Sequence, residues 1–110
     1  MDRNADYLGK TVRVVVDRPV GYQHGDITYP INYGYVPGLP AGDGEEQDAY
    51  ILGVDRPVEA FSGRVIAVIH RWDDVEDKWV VAPENVAFTK EEIINKVHFQ
   101  EQYFKTEILM

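Results

Sequence analysis

The sequence predicts a mainly β fold, a small barrel of four or five strands with one α-helix at the C-terminal end. Short runs rich in β-branched and apolar residues recur between residues 11 and 83, and only the segment after them carries a helix-start pattern. Because no helix separates the strands, a sheet of strand–helix–strand units is excluded. A chain of 110 residues can bury one core, so we expect a single domain over residues 1–110.

Four segments are predicted as strands. They are 11–17 (TVRVVVD), 49–54 (AYILGV), 63–72 (GRVIAVIHRW) and 77–83 (DKWVVAP). The second and third are apolar at both alternating sets of positions in their centres, which is typical of strands that are buried on both faces or closed into a barrel. Segment 21–44 is rich in glycine, proline and tyrosine, so it is predicted as an ordered loop with a short extended piece.

A helix is predicted to begin near Lys90. Thr89 is placed as its N-cap, and Glu92, three residues later, completes a capping box. The helix is expected to continue to the last few residues of the chain. Its apolar stripe would then comprise Ile93, Val97, Phe104 and Ile108.

Composition excludes several classes of function. The formal net charge of −8, without a cluster of Lys and Arg, disfavours binding to nucleic acid. No apolar run reaches the roughly 18 residues of a membrane span, so no membrane partner is expected. The chain has no cysteine, and its first residues lack the apolar stretch of a secretory signal, which together predict a cytoplasmic protein.

Two acidic segments lie at the ends of predicted strands, 43–48 (DGEEQD) and 73–77 (DDVED). If the loops that carry them gather at one rim of the barrel, the repulsion between their carboxylates requires a cation. Mg²⁺ prefers oxygen ligands and is often shared between carboxylates and substrate phosphates. The alternative is that the two segments are separate solvated turns, since acidic residues in loops are common.

The segment beside the first acidic run is more specific. YPINYGYVPG (29–38), followed by DGEEQD, resembles the soluble inorganic pyrophosphatase family, in which a Tyr-Pro-x-Asn-Tyr-Gly segment precedes an Asp-Gly-Asp-x-x-Asp motif. VVVDRP (14–19) resembles a strand of that family, and HFQEQYFK (98–105) resembles a segment of its last helix. The resemblance covers most of the chain. It implies a five-stranded, closed or partly open, OB-like barrel with the C-terminal helix packed against it.

The resemblance also implies the site. The metal ions would be Mg²⁺, with Mn²⁺ as an alternative. Their ligands would be Asp43, Asp48, Asp73, Glu76 and Asp17. The substrate, a small phosphate compound, would be bound by Tyr33, Tyr29, Tyr103 and Lys78. Catalysis would involve Asp43, Lys78 and Glu45, which replaces the family's water-activating aspartate. Glu76 keeps the family's spacing to Lys78, whereas Asp77 keeps the residue type; alternation along a strand favours Glu76.

The sequence departs from the family at two points. Segment 19–29 has no room for the family's hairpin with its phosphate-binding arginine, which Arg18 or His24 could replace in part. Phe104 stands where the family has a lysine. The expected function is metal-dependent hydrolysis of pyrophosphate; the alternatives are a hydrolase of another phosphoanhydride and a non-catalytic module that binds a metal or a phosphorylated ligand. The aromatic and apolar C-terminal segment favours a homo-oligomer.

Overall fold

The computed structural model describes residues 6–40, 45–74 and 76–110. The predicted mainly β barrel with one C-terminal helix is confirmed. The elements are β1 (Thr11–Arg18), β2 (Gln23–His24), β3 (Ile27–Thr28), β4 (Asn32–Pro40), β5 (Glu46–Ile51), β6 (Ala60–Arg71), β7 (Asp77–Ala82), α1 (Lys90–Glu101) and β8 (Thr106–Leu109). Within these ranges no helix has the length and apolar character needed to cross a membrane.

Five strands close the barrel in the order β1, β4, β5, β7, β6, and β6 pairs again with β1. The β5–β7 pair is parallel, and the other pairs of the barrel are antiparallel. Strand β6 is long enough to pair with two strands along one edge. It pairs with β1 near its beginning and with β8 near its end. The pairing of β6 with β1 closes the barrel, and β8 extends the sheet from the end of β6.

The strands are buried on both faces, as their apolar centres predicted. Alternate residues belong to two apolar clusters, and only one of them contains residues of α1, Ile93 and Val97. We call the face of the sheet that carries this cluster the helix face. Tyr50 and Val80 lie on the helix face, whereas their neighbours Ala49 and Trp79 belong to the other cluster.

The N-terminal end of α1 is as predicted. The Thr89 side chain accepts a hydrogen bond from the Glu92 backbone N–H, and the Glu92 side chain accepts one from Thr89 N–H. The predicted C-terminal end is wrong, because α1 stops at Glu101. Phe104 lies in the following turn, and Ile108 lies in β8, whose backbone pairs with the open part of the β6 edge. Pairing at this edge satisfies backbone groups that a longer helix would leave exposed on β6.

Residues 21–40 form more regular structure than the predicted loop with a short extended piece. They contain the short β2–β3 hairpin and the whole of the long strand β4. Position 34 in β4 requires glycine because β1 passes very close to it. A Cβ at Gly34 would lie 1.9 Å from the Val15 carbonyl oxygen. The segment thus carries a short hairpin, whose strands β2 and β3 contain no arginine.

Candidate active site

Charged side chains meet at the rim of the barrel where β5 and β7 begin. These two strands run parallel with Ala49 opposite Trp79, so the preceding residues Asp48 and Lys78 lie side by side on the helix face. Lys78 Nζ is 2.5 Å from Asp48 Oδ2, and it also contacts Glu76 Oε1. The Lys78 side chain is 5% exposed and the Asp48 side chain 30%. A buried ammonium group therefore lies beneath a carboxylate that solvent can reach.

Tyr33 completes this group from β4. Its hydroxyl lies close enough to the Asp48 carboxylate for the two groups to interact, and Lys78 Nζ lies 5.9 Å from the centroid of its ring. Burial raises the pKa of Tyr33 far above its ordinary value, and the nearby charges of Asp48 and Glu76 raise this pKa further. The hydroxyl therefore stays protonated at neutral pH and acts as a hydrogen-bond donor.

The structure distinguishes the two neighbouring acids of the β6–β7 turn. Glu76 contacts Lys78, two residues later, as alternation along the strand requires. Asp77 points the other way, and its Oδ1 lies at hydrogen-bond distance from His70 Nδ1, 2.7 Å away. Glu76 is thus the acid that joins Asp48 and Lys78.

Asp17 approaches the same rim from β1. The pairing of β1 with β4 shifts between Val16, which faces Gly34, and Arg18, which faces Tyr33, so Asp17 is the extra residue of a β-bulge. Partial burial raises the pKa of Asp17; of its neighbouring charges, Arg18 lowers this pKa and Asp48 raises it. Asp17 is therefore close enough to Asp48 for their negative charges to interact.

The donors at this rim suit a hard cation. Asp48 and Glu76 both contact the Lys78 ammonium group, and Asp17 lies near Asp48, so carboxylates are in excess over that ammonium group. In the described part of the chain, however, no three acidic or histidine side chains form a ready-made cluster for a metal. Asp43, another predicted ligand, lies outside the described residues. Glu45, the predicted base, is exposed just before β5.

Three predicted residues have other surroundings. The Asp73 carboxylate accepts the backbone N–H of Lys105, at 3.2 and 3.3 Å from its two oxygens. Tyr103 is 66% exposed in the turn after α1. Tyr29 is buried, and its hydroxyl joins Arg18 to Gln100. No contact within the described residues links Asp73 or Tyr103 to Lys78.

The sequence analysis missed a second charged group on the helix face. Arg71 Nε and Nη2 donate to Glu101 Oε1 and Oε2 at 2.9 and 2.6 Å, and Arg71 Nη1 donates to Asp74 at 3.1 Å. Tyr50 donates to Glu101 Oε2 at 2.5 Å. A pattern in the sequence could have revealed it, because Glu101 lies four residues after Val97 on the apolar side of α1 and therefore requires a buried partner.

Comparisons with known proteins agree with this architecture. The model of the inorganic pyrophosphatase family matches residues 4–108. The structure is similar to the inorganic pyrophosphatase of Ehrlichia chaffeensis, with a TM-score of 0.70 and 19% identity over 91% of this chain and 85% of that one. For the Helicobacter pylori enzyme the TM-score is 0.65, with 18% identity over 90% and 82% of the two chains.

A third similar structure is the inorganic pyrophosphatase of Thermus thermophilus, with a TM-score of 0.63 and 16% identity over 92% of this chain and 81% of that one. At these identities the structural likeness establishes the fold. No curated protein matches the sequence. The family match spans nearly the whole chain and confirms the family that the tyrosine and acidic motifs predicted. The chain belongs to the inorganic pyrophosphatase family, and it is a hydrolase of the diphosphatase type.

Proposed function

We propose that the protein hydrolyses inorganic pyrophosphate to two phosphates at the rim formed by Asp48, Lys78 and Tyr33. The observation that carries the proposal is the contact of the buried Lys78 ammonium with two carboxylates at the beginning of two parallel strands. This places one fixed positive charge next to anionic oxygen donors, which is the combination needed to receive a metal-bound phosphate compound.

Divalent ions are part of this proposal, because the family generally depends on them. Asp48, Glu76 and Asp17, together with Asp43, would hold Mg²⁺ or Mn²⁺. Their donor set fits because it consists of oxygen atoms with excess negative charge. Such ions, when bound, polarise phosphate oxygens and lower the pKa of a bound water. Asp73 would take part from the adjoining turn.

The protein's own side chains would have separate roles in the reaction. Glu45, at the exposed beginning of β5, accepts the proton of the attacking water. Lys78 balances negative charge on the phosphate that leaves, and its burial strengthens this interaction. The protonated Tyr33 hydroxyl, next to Asp48, would donate a hydrogen bond to a phosphate oxygen. Tyr103, exposed after α1, and Tyr29, below the rim, would complete the surroundings of the substrate.

Phosphate release from pyrophosphate tests the proposal, with the wild-type protein assayed in Mg²⁺, in Mn²⁺ and in EDTA. We expect metal-dependent turnover that the Asp48→Asn variant loses. Asp55→Asn is the matched control, because Asp55 is exposed in the β5–β6 loop. Tripolyphosphate and ATP, assayed in parallel, show whether another phosphoanhydride is preferred. If none of these three compounds releases phosphate with either metal, the proposed hydrolase activity is overturned. The alternative, a non-catalytic binding module, is then favoured.

Association with further copies and a cytoplasmic location also remain proposals. Trp72, Ile94, Tyr103 and Met110 are large hydrophobic residues that are exposed in the single chain. Contact between copies would bury such residues. Light scattering after size exclusion tests this; a particle of one chain's mass at micromolar concentration would contradict it.

A further inference from the structure

The β-bulge at Asp17 changes the direction of the next side chain, Arg18. Val14 and Val16 pack in the cluster opposite the helix face, so regular alternation would send Arg18 to that side as well. The extra residue reverses this, and Arg18 instead lies opposite Tyr33, which belongs to the helix face. Bulges are frequent next to active sites, where they redirect a side chain. The bulge therefore brings a guanidinium group to the side of the sheet that carries Asp48 and Lys78.

The guanidinium group of Arg18 is fixed by aromatic residues. Its Nη1 donates to the Tyr29 hydroxyl at 2.6 Å, and its Cζ lies 5.5 and 5.6 Å from the ring centroids of Tyr29 and Tyr22. Among the described residues no carboxylate lies within ion-pair distance of it. One of its five N–H donors is used in the described hydrogen bonds. The group is oriented, and its charge is not consumed by a carboxylate there.

A continuous chain of hydrogen bonds anchors this orientation in the core. Tyr29 Oη donates to Gln100 Oε1 at 2.5 Å, and Gln100 Nε2 donates to Tyr50 Oη at 2.7 Å. Tyr50 in turn donates to Glu101, which is paired with Arg71. Each member is held by a partner on another element, so Tyr29 has little freedom to release Arg18.

We propose that Arg18 is the arginine that binds a phosphate group of the substrate, and that Tyr29 and Gln100 are positioning residues for it. This inference rests on the proposed function of the rim. The guanidinium fork matches two phosphate oxygens, and it stands next to Asp17 at the bulge, opposite Tyr33. The β2–β3 hairpin contains no arginine, so β1 supplies this group from within the barrel wall.

Kinetics of Arg18→Gln, Arg18→Lys and Arg13→Gln test the assignment. Arg13 lies on the same strand, is exposed and pairs opposite Ser62, away from the rim, which makes it a matched control. We expect Arg18→Gln to lower kcat/KM by about 100-fold with KM raised, and Arg18→Lys, which keeps the charge without the fork, to lower it by about 10-fold. Inhibition by inorganic phosphate should weaken in the same order. Arg13→Gln should match the wild type in both measurements.

Tyr29→Phe and Gln100→Leu separate positioning from folding. Both should raise KM less than Arg18→Gln does, at temperatures where circular dichroism shows a folded chain. Wild-type KM and wild-type phosphate inhibition in Arg18→Gln would overturn the assignment of Arg18. Equal losses of kcat/KM in Arg18→Gln and Arg13→Gln would also overturn the assignment, because a general charge effect would then explain both losses.

Calorimetric titration with pyrophosphate distinguishes failure of this inference from failure of the proposed function. If the wild type binds pyrophosphate without hydrolysing it, the proposed function fails, whereas weaker binding by Arg18→Gln than by Arg13→Gln still supports Arg18. If the wild type hydrolyses pyrophosphate and Arg18→Gln binds it equally well, the function stands and the Arg18 inference is wrong. A wild type that neither binds nor hydrolyses pyrophosphate overturns both.

Discussion

The helix face carries two charged groups that each combine a cation, carboxylates and a tyrosine, and the two groups differ in accessibility. In the buried pair, Arg71 forms two hydrogen bonds to Glu101, and both side chains are 5% exposed. In the rim group, Lys78 is equally buried, but Asp48 is 30% exposed. Each group also has a tyrosine beside its carboxylate: Tyr50 donates a hydrogen bond to Glu101 in the buried pair, and Tyr33 lies near Asp48 at the rim.

The difference separates structure from chemistry. The Arg71 guanidinium has acceptors for its Nε, Nη1 and Nη2 donors and the ring of Phe104 3.7 Å away, so the pair joins α1 to β6 and offers nothing to a ligand. At the rim, acidic groups outnumber the cation, and solvent reaches one of them. A satisfied ion pair is expected to affect stability, and an acidic group with excess charge is expected to affect binding and turnover.

The largest expected effect comes from breaking the buried pair. Arg71→Met leaves the Glu101 carboxylate buried without its cation, so we expect the free energy of unfolding to fall by about 3–5 kcal/mol. Urea denaturation measures this loss. In the double variant Arg71→Met/Glu101→Leu the uncompensated charge is removed, and most of the stability should return. A single variant as stable as the wild type would contradict the structural role of the pair.

Gly34→Ala should disturb both groups at once. The added Cβ would meet the Val15 carbonyl oxygen at 1.9 Å, so β4 must move away from β1. We expect a loss of about 3 kcal/mol in stability and a loss of turnover, because Tyr33 moves with the strand. Thermal unfolding and phosphate release are measured on one preparation. Gly38→Ala is no suitable control because Gly38 has a positive φ of 82°; Ser62→Ala on β6 is suitable.

The two tyrosines give the sharpest comparison, because Tyr33 and Tyr50 lie opposite each other on β4 and β5 and undergo the same change to Phe. Tyr50→Phe removes a donor to buried Glu101, so it should lower stability by about 1–2 kcal/mol. Tyr33→Phe removes the protonated hydroxyl next to Asp48 and should lower kcat by about 10-fold with a smaller loss of stability. Chemical denaturation and steady-state kinetics test both. If the two variants lose the same amount of stability and the same fraction of kcat, the two groups do not differ in role.

The smallest effect is expected far from both groups. Thr89→Ala removes the N-cap of α1 and should lower stability by about 1 kcal/mol. Turnover at a temperature well below unfolding should stay at the wild-type value, since the cap lies at the end of α1 opposite to Gln100 and Glu101. A large loss of activity in this variant would show that the whole helix, and not its C-terminal end alone, controls the rim.

The sequence predicts the features that depend on local pattern. The capping box at Thr89 and the apolar strands could be read directly, since they follow from spacing and residue type. Strand β8 could not be predicted from the sequence. Its residues, TEIL (106–109), continue the apolar spacing of a helix and become a strand only through pairing with β6.

For the site, the tyrosine and acidic motifs led to Asp48, Tyr33 and Lys78, which the fold brings together. The direction of Arg18 depends on a bulge that no residue pattern indicates, and alternation alone predicts the wrong face. The spacing of Glu101 from Val97 indicates that Glu101 needs a buried partner, but that this partner is Arg71 becomes visible only when the helix is placed on the sheet.

The most direct test compares two aspartates that each accept a hydrogen bond from a cation, Asp48 from Lys78 at the rim and Asp74 from Arg71 beside the buried pair. Phosphate release from pyrophosphate with Mg²⁺ is measured for Asp48→Asn and Asp74→Asn and normalised to the folded fraction of each. The account predicts a loss on the order of 1,000-fold for Asp48→Asn and turnover within about twofold of the wild type for Asp74→Asn. Equal turnover in the two variants would contradict it.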